Sequence, residues 1–141
     1  MPTSVPPNSS QALAIASSAL HAQQTRMRVI AENIANADST SQTPGGDPYR
    51  RQIPVFTPTQ VTKGATGVKM NGIAADTAPF RQEFNPQHPA ADSKGYVKMP
   101  NVEPLVEALD MKEAQRAYDA NLNVIETQRA MASRTLDIIR K

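Results

Sequence analysis

The sequence contains no cysteine and no tryptophan, and its aromatic residues make up only 4% of 141 positions. The missing thiols exclude disulfides and thiolate metal sites, and they leave the redox compartment open. The shortage of aromatics says more, because these side chains supply the largest buried areas in ordinary cores. With 39% hydrophobic residues and alanine prominent among them, helix comes cheaply but burial does not. A self-sufficient core would be thin, so the composition points to a chain that completes its core by assembling with others. An ordinary self-contained soluble domain is the competing reading.

Charge is also missing at one end: no charged residue precedes Arg26. The short run of small and apolar residues from Ala12 to Leu20 therefore lacks the positive segment that opens a cleaved secretory signal, and none is expected. No hydrophobic run is long enough to span a membrane. The 15 basic and 13 acidic residues leave a net charge of +2. The basic residues are scattered, with Arg50-Arg51 the one strong internal pair, so a nucleic-acid surface is not expected.

Motifs for chemistry are absent as well. His21 and His88 stand far apart, neither in a His-x-x-x-His or Glu-x-x-His spacing. Gly45-Gly46 is followed by Asp-Pro rather than Lys-Ser, so there is no phosphate loop, and no nucleophile elbow occurs. Asp110, Glu113 and Asp119 alternate with Lys112 and Arg116 at helical spacing, the pattern of a solvated or inter-subunit face. No catalytic, cofactor-binding or metal-ligating residues are expected, and the chain does not read as an enzyme.

What is present is helix at both ends. Val102 to Arg140 contains no glycine, and its only proline, Pro104, stands at its start. Tyr118, Leu122, Ile125, Ala132, Leu136 and Ile139 follow a period near 3.5, the repeat that keeps one seam of a long helix against a partner. Glu103, Glu107 and Asp110 lie at the start, and Arg134, Arg140 and Lys141 at the end, so charge complements the helix dipole. A second helical pattern is predicted from Ser10, read as its N-cap, to about Ala37. Leu13, Leu20, Met27 and Ile34 recur every seven residues, Ala16 and Ile30 fill the intermediate seam, and Gln23 weakens it. The charge-free outer face of this helix suits close packing on several sides. The seam residues Leu13, Leu20, Met27, Ile30 and Ile34 are expected to face Tyr118, Leu122, Ile125, Leu136 and Ile139.

Between the helices, prolines and glycines punctuate short alternating segments at 51–56, 67–71, 80–84 and 95–99, read as three or four strands. Thr57–Ala65 and Gln87–Lys94 are expected to be mobile loops. The predicted fold is α+β: paired, coiled-coil-like terminal helices around a small β-rich insertion. The expected division is a flexible arm over 1–9, a discontinuous helical assembly domain from 10–38 with 101–141, and the insertion at 39–100.

Several stretches carry a resemblance. RMRVIAENIANADST (26–40), with Asn33, Ile34, Ala35 and Asn36 at its centre, resembles the N-terminal signature of bacterial flagellar axial proteins. PYRRQ (48–52), GVKMNGIAAD (67–76) and NPQHPAADSKGYVKMPNV (85–102) are similar to the proximal rod proteins of that family, as is EAQRAYDANLNVIETQRAM (113–131). The matching positions include Tyr49, Arg50, Arg51, His88, Pro89, Gly95, Tyr96, Pro100 and Asn101. The resemblance implies a structural subunit of the basal body, exported by the flagellar type III apparatus without a cleaved signal. It also implies helical assembly into the periplasm-spanning drive shaft that transmits torque and encloses the export channel. Implied partners are further copies of the chain, the other proximal rod proteins (FlgB and FlgF types), the rod-to-ring adaptor FliE and the distal rod protein FlgG. The alternatives are another axial subunit, of FlgB or distal-rod type, and a secreted enzyme acting on peptidoglycan.

Overall fold

The computed structural model describes residues 8–140 of the chain. Most of the expected N-terminal arm, residues 1–7, and the terminal Lys141 lie outside them. The elements follow in the order α1 (Ser9–Ala35), β1 (Gln52–Thr62), β2 (Ala65–Ala75), β3 (Arg81–Phe84), β4 (Tyr96–Met99) and α2 (Pro104–Arg140). Two terminal helices thus flank a small β insertion, the α+β arrangement read from the sequence.

Helix α1 opens on Asn8, not on Ser10. The Gln11 amide donates to Asn8 Oδ1 at 2.9 Å and the Asn8 amide to Gln11 Oε1 at 2.9 Å. This reciprocal capping box satisfies two amides at once, which a lone Ser10 would not do. Helix α2 starts with Pro104, whose missing N–H is no loss at the first helical position, and Glu103 O accepts the first helical bond from the Glu107 amide at 3.0 Å. Its 37 residues extend about 55 Å at 1.5 Å per residue.

Strands β1 and β2 form one two-stranded sheet, and β3 and β4 another. Only Lys63 and Gly64 join β1 to β2, so that pair is an antiparallel ribbon, turned through Gly64 at φ +80°. Thr57–Ala65 is therefore mostly strand rather than the predicted mobile loop. Pro54 and Pro58 are accommodated because a ribbon of two strands has free edges, where a residue without an N–H is tolerated. The second pair runs antiparallel with Arg81 opposite Met99 and Phe84 opposite Tyr96, whose rings meet edge-on at 5.3 Å.

The described residues form two compact units, one built from 8–26, 56–71 and 113–140, the other from Met27–Val55 and Gly72–Lys112. In the first, α1 lies against the hairpin: Gln11 Nε2 donates to Lys63 O at 3.0 Å and the Val68 amide to Ser18 Oγ at 3.2 Å. The approach needs Gly67, where an added Cβ would fall 2.3 Å from Ser18 Oγ and 2.7 Å from Val61 Cγ1. Arg26 of α1 reaches Glu113 of α2 at 3.5 Å. In the second unit, Val29, Ile30, Val97, Val102 and Pro100 are buried around Asn33 and Glu107.

Among the described residues, six of the ten buried hydrophobic side chains are alanine, and none is Leu, Met or Phe. Burial of a large aliphatic side chain contributes about 1.5–3 kcal/mol, and alanine much less. The core is thin, as the composition indicates, and large apolar side chains are left outside it.

Candidate functional site

The two helices are covered very differently. On α1 the exposed positions between Ser17 and Ala35 fall on or beside one stripe, Ser17, His21, Gln24, Arg28, Ala31 and Ala35. Every step on that stripe is three or four residues, so the helix is sheltered on its remaining faces. On α2 the sheltered stripe is the narrow one: Glu107, Met111, Ala114, Tyr118, Asn121, Ile125 and Gln128. These steps of four and three give the 3.5 repeat of a coiled-coil seam. From Arg129 to Arg140 every residue is exposed, including Leu136 at 61%, Ile138 at 75% and Ile139 at 74%.

The residues proposed for the helix seam are distributed accordingly. Ile30 is buried; Leu13, Leu20 and Met27 are half-buried; Ile34 is exposed at the end of α1. Tyr118 and Ile125 lie on the sheltered stripe of α2, whereas Leu122, Leu136 and Ile139 lie outside it.

A polar knot in the second unit gathers residues that the sequence marked only by resemblance. Asn33, almost wholly buried, accepts hydrogen bonds at Oδ1 from the Gln52 amide (2.9 Å) and the Tyr49 hydroxyl (2.8 Å), and donates from Nδ2 to Gln52 O (2.9 Å). Its amide pairs with the first residue of β1 as a neighbouring strand would. Burial raises the pKa of Tyr49, and the charges of Glu32 and Glu107 raise it further. Asn36 closes the end of α1 instead, donating to Glu32 O at 2.9 Å while Ser39 Oγ donates to its Oδ1 at 3.0 Å. Of the two motif asparagines, Asn36 satisfies a helix carbonyl and Asn33 binds the strand.

Arg51 sits at the centre of the knot. Its Nε donates to Glu107 Oε1, Nη1 to Asp76 Oδ2 at 3.2 Å, and Nη2 lies 3.7 Å from Asp110. Burial works against its charge, but the hydrogen bond and charge of Glu107, then those of Asp76, outweigh burial and raise its pKa. Asp76 is pulled below the usual carboxylate value by the Ala78 amide and, against the opposing effect of burial, by Arg51 and Arg50. Asn101 Oδ1 accepts from the Arg51 amide at 2.7 Å, and its Nδ2 donates to Asp76 O and Ala78 O, both at 3.1 Å. Arg50 donates to the Asp76 carbonyl at 2.8 Å and stacks 4.2 Å above the Phe80 ring. Glu107 is wholly buried, yet its Oε2 has no donor. Sequence patterning assigns no role to Asp76 and reads Glu107 only as a dipole partner. The available signal was a carboxylate standing on the same 3.5 repeat as Met111, Ala114, Tyr118 and Ile125.

The other family-motif residues shape the loop before β4. His88 Nδ1 accepts the Ala90 amide at 3.0 Å, which puts the ring hydrogen on Nε2, 3.4 Å from Thr40 Oγ1. Asp92 Oδ1 accepts the amides of Lys94 and Tyr96, and these amides, that of Tyr96 foremost, lower the Asp92 pKa. Gly95 is buried at φ +84°, with no room for a Cβ beside Phe84 and Pro86. Pro100 is buried, Pro89 and Tyr96 exposed. Gln87–Lys94, predicted to be mobile, is thus fastened by its own amides, because His88 and Asp92 supply acceptors inside the loop.

Among the described residues no group of three or more His, Cys, Asp or Glu side chains is placed to hold a metal ion, and no helix is long and apolar enough to cross a membrane. What the geometry presents is surface for assembly: a half-covered α1, and an α2 whose far end has no cover.

Comparison with known proteins agrees on the class. Residues 13–41 match the family described as "Flagella basal body rod protein", and residues 93–138 match "Flagellar basal body rod FlgEFG protein C-terminal". Two terminal helices of a single chain carrying these two signatures define a flagellar rod protein. The chain is 47% identical over 132 residues to the flagellar basal-body rod protein FlgC of Agrobacterium fabrum, covering 93% of this chain and 95% of that one. It is 43% identical to FlgC of Escherichia coli over 125 residues (88% and 92%) and 40% identical to FlgC of Borreliella burgdorferi (89% and 93%). The chain belongs to the FlgC family.

Proposed function

We propose that this chain is a structural subunit of the proximal rod of the flagellar basal body. It is exported by the flagellar type III apparatus without a cleaved signal. It assembles helically with its own copies and with FlgB- and FlgF-type subunits, FliE and FlgG, into the periplasmic shaft that transmits torque and encloses the export channel. Residues 10–38 with 101–141 serve as the assembly part, 39–100 as an insertion contacting neighbours, and 1–9 as an arm. The observation that supports this role most directly is the uncovered end of α2, whose apolar side chains a solitary soluble protein would not expose along three turns. Membership of the FlgC family supports the same reading, and nothing in the site favours catalysis.

In this reading the seam residues Leu13, Leu20, Met27, Ile30 and Ile34 of α1, with Tyr118, Leu122, Ile125, Leu136 and Ile139 of α2, hold helices together within and between subunits. Leu122→Asp and Ile125→Asp are expected to abolish swimming while the protein is still made at normal level. Normal motility of either variant on soft agar would refute the seam role.

A further inference from the structure

The beginning and the far end of α2 carry opposite and matching surfaces. At the beginning, Leu105 (74% exposed), Val106 (44%) and Leu109 (60%) form an open apolar patch. Val106 also lines an adjoining pocket of about 270 Å³, together with Arg51, Asp76, Asn101, Glu103 and Glu107. Around this pocket four carboxylates, of Asp76, Glu103, Glu107 and Asp110, face two guanidiniums, of Arg50 and Arg51. The Arg51 hydrogen bonds are spent on Glu107 and Asp76, and Arg50 is occupied by backbone carbonyls. One buried oxygen, Glu107 Oε2, still lacks a donor. A buried carboxylate oxygen without a partner is costly, and a pocket of net negative charge beside it favours an added cation.

At the far end, three arginines, Arg129, Arg134 and Arg140, stand against the single acid Asp137, all exposed. Arg134 lies between Met131 and Ile138 on one helical stripe (positions i−3, i and i+4), and both neighbours are open to solvent at 54% and 75%. A cation flanked by two apolar side chains is the complement of an acidic pocket flanked by Val106 and Leu109.

We propose that the far end of α2 in one copy docks on the beginning of α2 in the next, with Arg134 entering the acidic pocket and Met131 and Ile138 covering the Val106–Leu109 patch. The two surfaces differ, so the contact is heterologous: each copy of a docked pair keeps its other surface free, and the chain of copies does not close on itself as a two-fold dimer does. This inference rests on the rod reading and adds to it a specific contact between like subunits.

Because the chain has no cysteine, engineered thiols report the contact without background. Basal bodies are isolated from cells whose only copy of the protein carries both Leu109→Cys and Ile138→Cys, oxidised, and resolved under denaturing, non-reducing conditions. Expected are products of two and more linked copies from the double variant, and no linkage from either single one. Adding Arg134→Glu should cut the yield by about tenfold, as loss of a desolvated charge pair does, and Glu103→Lys should then restore it. Two results overturn the self-contact: no linkage in basal bodies that contain the variant, or linkage of these positions only to a different basal-body protein. Both leave the rod reading intact, since the presence of the protein in basal bodies is scored separately by immunoblot. If the thiol pair itself blocks assembly, swimming decides. Arg134→Glu should impair it and Glu103→Lys should rescue it, and failure of that rescue also overturns the proposal.

Discussion

Arg51 holds together side chains from parts of the sequence that look unrelated. It joins β1 to Glu107 of α2 and to Asp76, while Asn101 fixes its backbone. Removing one partner of a buried pair leaves the other charged and uncompensated, at a cost of about 3–5 kcal/mol, whereas replacing both by apolar residues is often close to neutral. Arg51→Met should therefore lower the urea-unfolding free energy by about 3 kcal/mol, and Arg51→Met with Glu107→Leu should recover most of that loss. A double variant as unstable as the single one would show that the pair does more than neutralise itself. Asp76 adds a dependence on pH. Its folded-state pKa lies below the ordinary 3.8, so the stability it contributes is present above that value and is lost as pH falls through the lower folded value. The advantage of the native protein over Asp76→Asn should be constant near neutrality and shrink below about pH 4, measured by unfolding at a series of pH values.

At the scale of elements, the sequence announced the helices through their period and the strands through their alternation. What it concealed were the places where side chains rather than backbone decide. The end of α1 is written by Asn36 and Ser39, which the period does not reveal. The strand predicted over 51–56 runs on to Thr62, because nothing in the sequence says that β1 belongs to a ribbon of only two strands, where Pro58 is tolerated. On α2, Tyr118, Ile125 and Ile139 share the phase of the sheltered stripe, with Ile139 beyond its sheltered part, whereas Leu122 and Leu136 fall beside it. The sheltered stripe also runs through Glu107, Ala114, Asn121 and Gln128, and Glu107 is held there by Arg51, which periodicity does not weigh. The site was legible in part: Asn33, Tyr49, Arg50, Arg51 and Asn101 were marked by resemblance and Asp76 only as the last residue of a matching stretch, but Glu107 comes to them only through the fold. The contact of α1 with the hairpin can be tested through its tightest point. Gly67→Ala drives a methyl group into Ser18 Oγ and Val61 Cγ1, and overpacking of this kind costs about 1–3 kcal/mol. Adding Ser18→Gly should return part of that loss in thermal unfolding. If Gly67→Ala is neutral, the hairpin does not lie this close to α1 in solution.

For the molecule as a whole, the scarcity of aromatics, the alanine-rich core and the uncovered end of α2 are one fact seen three ways. The chain spends few large apolar side chains on itself and keeps Met131, Leu136, Ile138 and Ile139 outside. A helical stretch shorter than about 12–15 residues is marginal in water without tertiary contacts, and residues 129–140 have no buried side chain to support them. Their helix in the free subunit therefore depends on continuity with the sheltered part of α2 and should open often. Hydrogen exchange is expected to be fast over 129–140 and slow over 107–128 in the isolated protein, because local stability follows local burial. In isolated basal bodies the first segment should slow to match the second, since neighbouring subunits then bury the same side chains. Equal protection of the two segments in the free subunit would mean that α2 is complete without neighbours, and that its exposed face is not what assembly uses.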